Sequence, residues 1–84
     1  MKLGIVVESV AAARRAQCLL GQALLVVQTG EETLVAADRV GAAPGDRVLL
    51  ATGTAAARYC MDAPVDAAVV AVVDGGEADR KSVV

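Results

Sequence analysis

Short apolar, β-branched segments recur along this sequence about every ten to fifteen residues, each closed by turn-forming residues, and this spacing constrains the fold most. It describes a small all-β domain and disfavours alternating βαβ units. The expected strands are Leu3–Val10, Ala23–Gln28, Thr33–Ala37, Arg47–Thr52 and Val65–Val73, with Ser82–Val84 as a short sixth. Thr29–Gly30–Glu31–Glu32 reads as a hairpin turn. Pro44–Gly45 fits the central pair of a type II turn, because Pro presets a negative φ and Gly accepts a positive one. The stretch 53–60 reads as one or two helical turns, with Thr54 as N-cap and three alanines carrying it forward until Pro64 stops it. Ala11 to Arg15 suits a loop or a helical turn equally, and Asp74–Gly75–Gly76 is expected to turn the chain before a solvated tail at 77–81. Five short strands and one short helix are compatible with an OB-like barrel.

The chain has 84 residues, which makes it one domain close to the size at which a single core becomes marginal. Small chains are usually supplemented by disulfides, a metal or partner subunits. A zinc site lacks ligands, since there is no His and Cys18 and Cys60 have no CxxC spacing. No secretory leader pattern surrounds Lys2, so the thiols are expected to be free in a cytoplasmic protein and both buried. Oligomerisation remains. The sequence is 56% hydrophobic yet holds one aromatic residue, Tyr59, so a core of small side chains has apolar surface to spare for subunit contacts. A membrane span is disfavoured because the runs Leu24–Val27 and Ala67–Val73 fall far short of the roughly 20 residues needed.

Catalytic chemistry is poorly represented. Asp38, Asp46, Asp66 and Asp74 stand at strand ends or turns, where backbone capping explains them, and no His is present to activate a nucleophile. Gly41, Gly45 and Gly53 lack the spacing of a phosphate loop. The net charge of −2, scattered basic residues and absence of stacking aromatics argue against nucleic acid as a partner. No cofactor is indicated.

Segments 35–49, Gly53–Thr54–Ala55–Ala56–Ala57–Arg58 and 64–74 together resemble, in order and spacing, the EutN/CcmL family of bacterial-microcompartment shell proteins. Leu3–Gly4 and the stretch 20–28 extend the likeness over nearly the whole chain. Ala23 stands where the family often has Lys, Ala43 where it often has Gly, and Thr54–Ala55 where it often has a Ser pair. The resemblance implies a single domain over 1–84 with a short tail at 75–84, folded as a five-stranded OB-like barrel. It also implies a structural, non-enzymatic role: homopentamers capping the vertices of a cytoplasmic polyhedral shell otherwise tiled by hexameric shell proteins.

By the same resemblance Gly53, Thr54 and Ala55 line a narrow pore on the five-fold axis; Thr54 as a simple helix cap is a compatible reading. Arg58 is implied in an ion pair across a subunit boundary, with Asp66 or Asp46 as its partner, against the alternative of a solvated surface arginine. The rival function is an OB-type binding module for nucleic acid or a small ligand.

Overall fold

In the computed structural model, residues 1–11 and 14–73 are described, and they form the expected five strands and one short helix. The strands are β1 (Lys2–Ser9), β2 (Ala23–Thr29), β3 (Thr33–Asp38), β4 (Arg47–Thr52) and β5 (Ala67–Val72), with α1 (Gly53–Tyr59) between β4 and β5. They close into a barrel in the order β1-β2-β3-β5-β4, every contact antiparallel except the short parallel one between β3 and β5. Closure removes the exposed sheet edges along which short apolar strands would otherwise aggregate. The turn, tail and sixth strand expected beyond Val73 lie outside the described residues.

Alternation along the strands sends one set of side chains inward. Val6, Leu25, Val27, Ala36, Val48, Leu50, Ala67 and Val69 fill the barrel with aliphatic groups alone, so the lumen is a packed core. A second cluster lies on the outer surface. Ala37 pairs with Ala68 and Ala68 with Ala51, so three methyl groups form a row across β3, β5 and β4. Ala56 in α1 and Cys60, its C-cap, are buried in the same cluster. Side chains this small let the helix settle close to the sheet.

Both tight connections match their sequence signals. In the β2–β3 turn the buried Thr29 hydroxyl donates to the Glu32 carbonyl at 3.0 Å and accepts from the Glu31 and Glu32 N–H groups. Before β4, Asp46 N–H donates to the Ala43 carbonyl at 3.0 Å and Gly45 holds φ +93°, as a type II turn requires.

The helix ends differ from expectation. Thr52, not Thr54, is the N-cap, with extended backbone and no side-chain capping bond. Gly53 turns the chain from strand into helix at φ +64°, which moves the boundary two residues upstream and leaves Thr54 inside the first turn. The C-terminus closes before Pro64 can act. Asp62 N–H donates to the Ala57 carbonyl at 2.7 Å and Met61 N–H to the Arg58 carbonyl at 3.1 Å, the paired bonds of a Schellman motif. Met61 and Asp62 both hold φ 61°, so a methionine fills the left-handed position that usually belongs to glycine. β5 accordingly begins at Ala67 rather than Val65. A 3-10 turn at Gln17–Leu19, not foreseen from sequence, precedes β2. It presents Cys18 to solvent, contrary to the expected burial, while Cys60 is buried as expected.

Candidate functional site

The residues expected at a pore all lie at the start of α1. Gly53, Thr54 and Ala55 are exposed, the only three consecutive exposed positions of the helix's first turn. Gly53 N–H donates to the Asp66 carbonyl at 2.8 Å, which fastens this turn to the strand entering β5. Gly53 and Asp66 thus come together, in a cleft of about 220 Å³ that also takes in Lys2, Glu32 and Thr52. Lys2 Nζ stands 4.0 Å from Glu32 Oε2 at its rim, the one ion pair among the described residues. Both side chains are well exposed, so this pair adds little stability.

Arg58 is exposed on α1 and has no ionic partner among the described residues. Its two suggested partners differ in availability. Asp66 is exposed, in the cleft it shares with Lys2 and Glu32. Asp46 stands at the far end of β4 from Gly53, and its Oδ2 accepts the Ala43 N–H at 2.9 Å within its own turn. Asp38 is used in the same local way, Oδ1 accepting from Val40 and Gly41 and Oδ2 from Ala42. Two of the turn aspartates are therefore backbone caps, as their positions suggested.

The feature that residue-by-residue inspection missed is on the barrel exterior. Leu3, Ile5 and Val7 all point outward from β1, between inward Gly4 and Val6, and remain 40–50% exposed. An outer strand face in contact with water is ordinarily polar. Leu49 lies directly beside Leu3 on β4, and Val35 pairs with Val26 on the β3–β2 side, so the apolar character extends past one strand. Beside Ile5 runs a groove of about 350 Å³ toward Gly30, with Arg47 and Gln28 on its walls. The signal was available: the alternating run Leu3–Gly4–Ile5–Val6–Val7 is apolar on both faces, where a half-buried strand would be apolar on one.

No cluster of His, Cys, Asp or Glu suited to a metal occurs among the described residues, and Cys60 is enclosed by alanines. What the surface offers is contact: an apolar strand face, an exposed helix face and an unpaired arginine.

Known proteins share the whole of this architecture. A family model described as ethanolamine utilisation protein EutN/carboxysome matches residues 1–74. The carboxysome shell vertex protein CcmL of Synechococcus elongatus is 43% identical over 65 residues, covering 75% of this chain and 60% of that relative. The matched part thus spans three fifths of the relative's length. Among solved structures, the GrpN pentameric microcompartment shell protein from Rhodospirillum rubrum superimposes with a TM-score of 0.78 at 36% identity, covering 92% of this chain and 98% of that one. CcmL from Gloeobacter violaceus gives 0.81 at 29% identity, covering 92% and 89%.

Proposed function

The chain belongs to the EutN/CcmL family, and on that premise we propose that it is a structural shell protein which assembles as a homopentamer and closes the vertices of a bacterial microcompartment. A flat hexagonal sheet cannot close into a polyhedron, so corners require units of five-fold symmetry, and such units need durable lateral contacts rather than an active site. The observation that carries the reading is the fold match over 92% of the chain to a pentameric shell protein at 36% identity.

Hexameric shell proteins are its neighbours in this reading, the compartment lies in the cytoplasm, and the protein is no enzyme. Gly53, Thr54 and Ala55 face the five-fold axis and line a narrow pore. Arg58 pairs with Asp66 of an adjacent copy in preference to Asp46, whose carboxylate is engaged in its own turn. Service as an oligonucleotide-binding barrel is the weaker reading, because the outer strand faces carry no aromatic side chain on which bases could stack and Tyr59 belongs to the helix.

The experiment is a mass measurement under native conditions. A species of five chains, each 8.4 kDa, is expected at micromolar concentration. A monomer or dimer there refutes the vertex role, and salt-sensitive binding to single-stranded oligonucleotides would favour the binding module.

A further inference from the structure

A ring of identical subunits needs two different surfaces on each copy, one for each neighbour, because head-to-tail contacts are heterologous. Stable interfaces bury about 800 Å² per partner. Two of them take roughly 1,600 Å², close to a third of the 5387 Å² that a single chain exposes. Residues that look solvated in one chain must therefore be buried in quantity, and the exposed apolar ones are the first candidates.

Leu20, Val35, Val40 and Val72 are spread over other parts of the surface, and two groups are contiguous. On one side stands the outer face of β1, with Leu3, Ile5 and Val7 uncovered. The other side is the α1 surface, which covers the alanine row of β3, β5 and β4 and presents Tyr59 and Met61 outward. Around the closed order β1-β2-β3-β5-β4, α1 packs on β4 and β5, and β4 lies between it and β1, so the two surfaces are distinct sides of the barrel inclined to each other, as a closed ring requires. The Met61 backbone adds an independent observation. A residue 80% exposed, apolar and held at φ 61° gains nothing for its own subunit from either property, and strained positions of this kind mark surfaces with a use. Charges of both signs are present on each. The β1 groove carries Arg47, with Lys2 and Glu31 near its Gly30 end, while the helix side carries Asp62 and Arg58.

We propose that the β1 outer face of one copy packs against the α1 face and Met61 turn of the next, and that this contact is the seam of the ring. The inference rests on the homopentamer reading and deepens it by naming the surfaces. Tyr59 and Met61 cover Leu3, Ile5 and Val7, with Arg47 facing Asp62 across the rim.

Complementation tests it. Ile5→Glu disables the β1 face only and Met61→Glu the helix side only; each variant alone is expected to lose the pentamer and run as a folded monomer, with far-UV circular dichroism unchanged. Mixed at equal, high micromolar concentration, they retain one good seam between them and are expected to form 1:1 dimers by native mass spectrometry, with no larger ring. If wild type is itself monomeric, the homopentamer reading falls. If wild type is pentameric while either variant stays pentameric, or the mixture yields no dimer, the seam is wrong and the pentamer stands. Should a variant fail to fold, labelling decides: Val7→Cys or Met61→Cys in a Cys18→Ser pentamer is expected to resist maleimide at least tenfold more than the diluted subunit, and equal labelling overturns the seam.

Discussion

At the scale of single residues, Met61 is where local cost and collective use separate. A left-handed backbone costs an L-residue about 1–2 kcal/mol, and glycine relieves it while losing about 0.5–1 kcal/mol to the freedom it gains in the unfolded chain. Met61→Gly is therefore expected to stabilise the isolated subunit by about 0.5 kcal/mol, measured by urea unfolding at concentrations where subunits are separate. A destabilised subunit would mean that the methionine side chain supports its own chain. This position was not legible in the sequence, because the helix stop signal there is normally a glycine and none is present. The turn aspartates were legible: Asp38 and Asp46 follow the rule that a short carboxylate at a strand end or in a turn caps nearby N–H groups.

Among the elements, α1 depends on the row Ala37–Ala68–Ala51 being no larger than alanine. Ala56→Leu adds three carbons where the side chain is fully buried against that row, and overpacking of this kind costs about 1–3 kcal/mol. Ala55→Leu, on the exposed side, is expected to change stability by less than about 0.5 kcal/mol. Equal effects in urea unfolding would show that the helix is not seated on the alanines. The strands were readable from spacing and turn chemistry to within one or two residues, since β-branched runs and Gly or Pro punctuation are local signals. The helix ends were not, because seven residues give too little periodicity to fix a boundary and Thr52 serves both as strand end and cap. The unbroken apolar run of β5 has a tertiary cause: Ala67 and Val69 face the lumen while Ala68 faces α1.

For the whole molecule, composition pointed to association, since a small-residue core in 84 residues is thin and apolar surface is left over, including the outer face of β1 and the Tyr59–Met61 side of the helix. The number five could not come from that reasoning; it came from the matched segments and the shared fold. The proposed pore residues rest on the same resemblance, whereas the apolar β1 face became visible only once closure of the barrel fixed which side of each strand points outward. If subunits depend on one another for stability, unfolding has to depend on concentration by mass action. For a pentamer that dissociates as it unfolds, a hundredfold rise in concentration adds about 2 kcal/mol per chain, which moves Tm upward by roughly 10 °C in a domain of this size. Calorimetric scans across that range are expected to show the shift for wild type and none for Ile5→Glu. A wild-type Tm that does not move would mean that each barrel holds itself together, with assembly added to an already stable fold.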